Sequence, residues 1–227
     1  MAVVHENEPA GGLRDEYQYR GAEAPHTSQY VWGPLCAMIQ KDNRGRAPTR
    51  VLDLGCGNGA FAAHLASLGY EVVAVDPSES AIAEARRGHP ALSVFRGSGY
   101  DELASVLGRF PIVTCLEVIE HCFFPRRIAQ SIHALLEPGG TAYLSTPFHG
   151  YWKNLALALT GRMDAHFTAL WDHGHIKFWS ARTVTELCRE AGFVDVSVVR
   201  VGRVPPLAKS MIVIARKPHE VSPSKPF

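Results

Sequence analysis

No Cys-x-x-Cys pair occurs in this sequence, and its cysteines are odd in number: Cys36, Cys56, Cys115, Cys122 and Cys188. That argues against a zinc ribbon or a fully paired disulfide framework and fits reduced thiols, so a cytoplasmic protein is expected. An excess of charge of one sign is also missing. Lys and Arg total 23 against 22 Asp and Glu, with no basic run, which predicts no general attraction to nucleic acid or to an anionic membrane. No apolar run approaches the roughly 20 residues of a membrane-spanning helix. The start, "MAVVHENEPAGG", lacks the charged-then-apolar layout of a signal peptide. Internal repeats are absent, and nothing outside the two ends is of low complexity.

What is present is alternation. "RVLDL" (50–54), "EVVAVD" (71–76), "ALSVFR" (91–96), "PIVTCLE" (111–117) and "TAYLSTP" (141–147) read as strands. Between them "AFAAHLASLG", "SESAIAEARR", "YDELASVL" (100–107) and "PRRIAQSIHALLEPGG" (125–140) read as helices. Ser78 is a plausible cap for the second of these. Such βαβ alternation predicts a parallel, doubly wound α/β sheet. "HTSQYVWGPLCAMIQK" predicts a helix ahead of it; "ARTVTELCREAG" and two last strands complete it. We expect a flexible segment at 1–24, a domain over 25–217 and a disordered tail at 218–227.

"DLGCGNGA" joins the first strand to the first crossover helix. Gly55, Gly57 and Gly59 let the backbone turn sharply and approach a ligand closely. Asp76 ends the next strand, about twenty residues on, where an acid can grip ribose hydroxyls. "GCGNGA" also satisfies the dinucleotide fingerprint, so a nicotinamide oxidoreductase is a rival on this pattern alone. Against it stand Asp53, two residues before the first glycine, the G-x-G-x-G spacing, and "LLEPGGTAYLSTP" after the fourth strand.

With these motifs, the core from about Arg50 to Lys217 resembles the class I S-adenosylmethionine-dependent methyltransferases. The resemblance implies a Rossmann-like seven-stranded sheet with helices on both faces, its last strand antiparallel between strands five and six. It implies S-adenosyl-L-methionine as cofactor. Asp53, Gly55 and Cys56 would line the methionine part, with Gly57 and Asn58 by the ribose. Asp76 would hold the ribose hydroxyls and Pro77 pack near the adenine. Ser98, Gly99 and Tyr100 would close the adenine pocket, and Leu116 and Glu117 lie beneath the sulfonium.

The fourth strand ends in "VTCLEVIEHCFF", which places Glu117, Glu120 and His121 where a core strand surfaces. Buried carboxylates are costly unless paired, hydrogen-bonded or bound to metal. "VTCLEVIEH", with Ser145-Thr146 at the fifth strand, resembles the ubiquinone-biosynthesis type of O-methyltransferase. That resemblance implies that Glu117, Glu120 and His121 hold a Mg²⁺-like ion near a hydroxyl acceptor. Without a metal, His121 serves as base or substrate contact, or only shapes the pocket. The sequence departs from that branch at Cys122-Phe123-Phe124-Pro125, where a polar turn with an acid is expected, so the resemblance supports the reaction class rather than the ubiquinone substrate.

One stretch breaks the rhythm: Phe148 to about Trp179, too long for a strand–helix loop. It carries His149, His166, His173 and His175 with Tyr151, Trp152, Phe167, Trp171, Phe178 and Trp179. We read it as a lid over the carboxyl ends of the strands, with His173 or His175 as further catalytic candidates. "KNLALALT" could alternatively lie against a membrane. The expected reaction is methyl transfer to a small-molecule acceptor, most naturally a hydroxyl. N- or C-methylation and a non-catalytic partner subunit are the alternatives. No nucleic-acid partner and no membrane span are expected; a homodimer stays open.

Overall fold

The computed structural model describes residues 18, 19, 21–43 and 49–219. The expected flexible segment therefore lies mostly outside the described residues, as does the expected tail from 220 onward.

Seven strands form one sheet in the order β3-β2-β1-β4-β5-β7-β6. They are β1 (Arg50–Leu54), β2 (Glu71–Asp76), β3 (Ser93–Arg96), β4 (Phe110–Leu116), β5 (Leu136–Pro147), β6 (Val194–Val201) and β7 (Ser210–Arg216). Each β1 residue from Val51 to Leu54 is buried, because helices cover both faces of a parallel strand. β1 runs parallel to β2 and β4, with Val51 beside Val72 and Ile112. β7 is antiparallel to both neighbours, with Ser145 opposite Ile212. This is the order and the reversed last strand that the resemblance implied.

The helices are α1 (Ser28–Asp42), α2 (Ala60–Ser67), α3 (Glu79–Gly88), α4 (Leu103–Leu107), α5 (Pro125–Leu135), α6 (Tyr151–Leu159), α7 (Met163–Phe167) and α8 (Ala181–Glu190). Two start with caps that are visible in the sequence. Ser78 Oγ accepts from Ala81 N, and Ser180 forms a reciprocal capping box with Thr183. All five cysteines are free and buried.

Three expected boundaries move. The helix expected over 125–140 ends at Leu135, and Leu136 already pairs with Phe110 of β4. Pro138 cannot donate to a continuing helix and disfavours helical backbone at Glu137. Lys217 Nζ satisfies the freed carbonyls of His133 and Leu136, each at 2.8 Å. The helix expected from Tyr100 begins at Leu103, because Ser98–Asp101 close a turn in which Ser98 N donates to Asp101 Oδ2 at 2.7 Å. The third strand starts at Ser93 rather than Ala91.

The strand order reverses between β1 and β4. Ligands of open α/β sheets bind outside the carboxyl ends of the strands at such a point. Leu54, Asp76 and Leu116 end their strands there.

Candidate active site

A cavity of about 1610 Å³ opens along that edge, large enough for a cofactor together with an acceptor. Every residue expected to meet the cofactor lines it: Asp53, Gly55, Cys56, Gly57, Asn58, Asp76, Pro77, Ser98, Gly99, Tyr100, Leu116 and Glu117. The lid supplies most of the opposite wall.

The cofactor end is built from backbone. Gly55, Gly57 and Gly59 have φ of 77°, 54° and 78°, the left-handed region that favours glycine. A Cβ on Gly55 would collide with Val118, so two of the motifs need each other's small volume. Asp76 braces the loop: Oδ2 accepts from Gly57 N and Oδ1 from Ser78 N, both at 2.9 Å. Asp53 is 2% exposed and accepts from Thr114 Oγ1 at 2.7 Å. Burial is the main reason its carboxyl is pushed up to about 7.

Asn58 also ties the loop to the chain ahead of it. Its Nδ2 donates to the carbonyls of Gly21 and Glu23, each at 2.8 Å, and clasps the N-terminal strand of chain onto the loop. Tyr19 sits over Gly57, where an added Cβ would lie 2.9 Å from its hydroxyl. Tyr19, His26, Thr27 and Tyr30 thus join the cavity wall. Sequence reasoning missed them because they precede the first strand; the paired tyrosines of "YQY" were the available signal.

At the far end of β4, Glu117 has φ 54°, unusual for a residue with a side chain. Ser145 compensates. Glu117 N donates to Ser145 O at 3.0 Å, and Ser145 Oγ donates to Glu117 Oε1 at 2.8 Å. Glu120 is 1% exposed; among the described residues neither carboxylate oxygen has a partner at full hydrogen-bond geometry, and the neighbouring Thr146 hydroxyl is the one side chain close enough to favour its charged form by hydrogen bonding. Burial, and for Glu120 also the charge of Glu117, pushes both carboxyls up. The Ser-Thr pair of β5 therefore stands against the two acids of the Glu-x-x-Glu-His motif.

His121 is held by the lid. Its Nδ1 lies 3.0 Å from His173 O and 3.2 Å from Gly174 O. Carbonyls only accept, so Nδ1 carries the hydrogen and Nε2 presents its lone pair. Burial lowers the His121 pKa, which keeps the ring neutral near pH 7. The His175 ring packs edge-on at 4.9 Å between centroids, and burial and His121 hold its pKa down at about 4. Glu120, His121 and His175 each offer a ligand atom within 4.8 Å of the others.

Two placements differ from the expected arrangement. The compact donor group contains His175 in place of Glu117, whose carboxylate is engaged by Ser145. His173 meets His121 through its backbone carbonyl, at a left-handed φ of 61°, rather than through its ring. Neither was legible, since the lid's fold-back onto β4 depends on backbone bonds: Ile176 N and Lys177 N both donate to Glu120 O at 2.9 Å.

The rest of the lid forms an aromatic cluster. His149 stacks on Phe167 (5.7 Å, 20°) and meets Phe178 edge-on at 5.1 Å. Burial is the chief cause that lowers its pKa to about 4. No residue of α6 or α7 is buried. Among the described residues no helix is long and apolar enough to cross a membrane.

Known proteins agree with this geometry. Residues 28–198 match a family model described as a methyltransferase domain. A ubiquinone biosynthesis O-methyltransferase of Aromatoleum aromaticum is 30% identical over 154 residues, 66% of this chain and 66% of that protein. One from Azotobacter vinelandii is 38% identical over 104 residues, 44% and 45% of the two chains. The chain thus spans less than two thirds of these relatives' own length. The magnesium protoporphyrin IX methyltransferase of Synechocystis PCC 6803, solved with bound SAH, superposes with a TM-score of 0.62 at 17% identity, over 82% of this chain and 81% of that one. An O-methyltransferase family protein from Burkholderia thailandensis gives 0.64 at 17% identity, over 84% and 57%. At such identities the structural likeness speaks for the fold alone. The sheet order, the glycine loop and the family match lead to one conclusion: this chain belongs to the class I S-adenosylmethionine-dependent methyltransferases.

Proposed function

We propose that this enzyme methylates a hydroxyl group on a small aromatic acceptor, with His121 Nε2 taking the proton. The observation that carries the reading is the clamp on His121: two carbonyls hold Nδ1 and leave Nε2 bare at the end of β4. Bound S-adenosylmethionine supplies a methyl group already activated on a sulfonium. The chain's own task is then to bind, orient and deprotonate the acceptor. A phenol with pKa near 10 resists ionisation at pH 7 by about 4 kcal/mol. A neutral imidazole within hydrogen-bond reach accepts that proton as the new bond to carbon forms. The O-methyltransferase names of the sequence relatives favour oxygen over nitrogen or carbon. The rings of the lid favour an aromatic acceptor.

The cofactor reading of the loop stays a proposal residue by residue. Asp53, Gly55 and Cys56 would face the methionine part and Gly57 the ribose. Asp76 would hold the ribose hydroxyls, with Pro77, Ser98, Gly99 and Tyr100 around the adenine.

A second reading rests on Glu120. A buried carboxylate that Thr146 alone helps to satisfy has acceptor capacity to offer a cation. Glu120, His121 and His175 fit a divalent ion, which would supply Lewis acidity to an acceptor oxygen. One carboxylate and two imidazoles suit a borderline transition metal better than the Mg²⁺ implied by the resemblance.

Turnover of catechol-type acceptors by His121→Ala tests the proposal, and EDTA separates its versions. Activity unaffected by EDTA in the wild type, and strongly reduced in the variant, supports His121 as base. Loss with EDTA and recovery with a divalent ion supports the second reading. Near-normal turnover in His121→Ala refutes both and indicates an acceptor, such as a neutral amine, that needs no base.

A further inference from the structure

We infer that the lid end of the cleft is an anion subsite, in which Lys153, Arg162 and Arg203 receive a carboxylate or phosphate carried by the acceptor. The inference deepens the proposed function and rests on its placement of the acceptor under the lid.

The charge on the cavity wall is divided. Of the carboxylates that line it, Asp53, Asp76 and Glu117 belong to the strand ends, and the lid contributes Asp172. The cations that line it, Lys153, Arg162, Arg203 and Lys209, all come from the lid or from the 202–209 turn between β6 and β7. Several arginines outside the cleft are paired with carboxylates. Arg126 meets Glu190 at 2.6 Å, Arg96 meets Glu79 and Arg216 meets Asp42, both at 3.4 Å. Among the described residues, none of the four cleft cations makes an ion pair with a carboxylate. Lys209 lies over the Tyr30 ring at 4.9 Å, which leaves Lys153, Arg162 and Arg203 for a ligand.

Lys153 is the informative member. It sits half-buried on α6, and its Nζ donates to the carbonyl of Phe148 at 2.8 Å. A carbonyl carries no compensating charge. Burial first, then the charge of Arg203, lowers its pKa to about 8. After burial, its field is the next cause that lowers His149 and His166, which line the same cavity. α6 packs on the 205–207 turn, so Lys153 and Arg203 approach from two elements. Gathering like charges in a partly desolvated cleft is unfavourable unless an anion arrives. Because the cations lie inside a cleft of a chain with net charge +1, they fit a small anion better than a polyanionic surface.

The test uses calorimetry on the SAH-loaded full chain with three probes: 3,4-dihydroxycinnamate, its neutral amide, and cinnamate, which has the anion and no acceptor hydroxyl. Both acids should bind at least about tenfold more tightly than the amide, as one charge-assisted hydrogen bond can provide. The preference should weaken as salt rises. In Arg162→Gln/Arg203→Gln the ratio should fall to near one, while Arg203→Lys should keep most of it. The SAH affinity of each variant reports whether it is folded. Equal affinity for acid and amide, no binding of either acid at millimolar concentration, or a preference that survives in the double variant overturns the inference. If dihydroxycinnamate binds with the expected preference and is not methylated, the O-methylation reading falls and the anion subsite stands.

Discussion

The two walls of the cleft are made differently. The cofactor wall is short loops between buried strands, and its carboxylates are satisfied from those loops and strands: Asp76 by the backbone N–H of Gly57 and Ser78, Asp53 by the Thr114 hydroxyl. The acceptor wall is one long excursion with no buried residue in α6 or α7, and several of its polar atoms, His149 Nδ1 and His166 Nε2 among them, have no hydrogen-bond partner among the described residues. On the proposed reading the first wall binds a ligand common to a whole family, and glycine spacing encodes it. The second must suit one acceptor, and it is written in side chains whose neighbours come from distant parts of the chain. His121 is where the walls meet, on the rigid strand end but oriented by lid carbonyls.

That contrast can be broken from either side. The largest effect should come at the junction. His121→Ala should lower turnover about a hundredfold or more while S-adenosylmethionine affinity changes little. Equal losses in both would mean that His121 belongs to the cofactor wall. Next, Asp76→Ala should weaken cofactor binding by about 1.5–3 kcal/mol, since charge-assisted hydrogen bonds are lost and the loop loses its brace. Calorimetry showing unchanged affinity would remove Asp76 from the site. Thr114→Val should cost about 1–3 kcal/mol of stability, because Asp53 is left buried without its donor. An unchanged melting curve would show that Asp53 finds another partner.

The smallest effect is a difference in sign with pH. His149 and His175 have pKa values near 4 in the fold against an ordinary 6.5. The unfolded chain therefore binds more protons between those values, and the lid should lose stability as pH falls from 6.5 towards 4. Asp53 behaves oppositely. Its pKa is raised from 3.8 to about 7, so its contribution weakens as pH rises through that window. Hydrogen exchange read by segment should show 148–179 opening at low pH while the β1 region does not follow. Parallel behaviour of the two segments would contradict the division.

Much of the fold was legible in the sequence because alternation and helix caps are local. The glycine loop and Asp76 were legible because their spacing reflects a backbone requirement. His121 was legible as an ionisable group at the end of a buried strand. Its partners were not. His175 lies 54 positions away in sequence, and it reaches the site only because residues 176 and 177 bond to the Glu120 carbonyl. Lys153, Arg162 and Arg203 were passed over for a similar reason, since isolated cations on a surface carry no motif. The clasp from Asn58 to residues 21 and 23 shows the same limit at the other end of the chain.

The most direct measurement is a crystal structure of the enzyme with SAH and a turned-over hydroxyl acceptor. The account predicts the acceptor oxygen within hydrogen-bond reach, about 2.6–3.2 Å, of His121 Nε2 or of an ion held by it, and facing the sulfur. An acceptor oxygen that faces the sulfur with neither His121 nor such an ion in reach would contradict it.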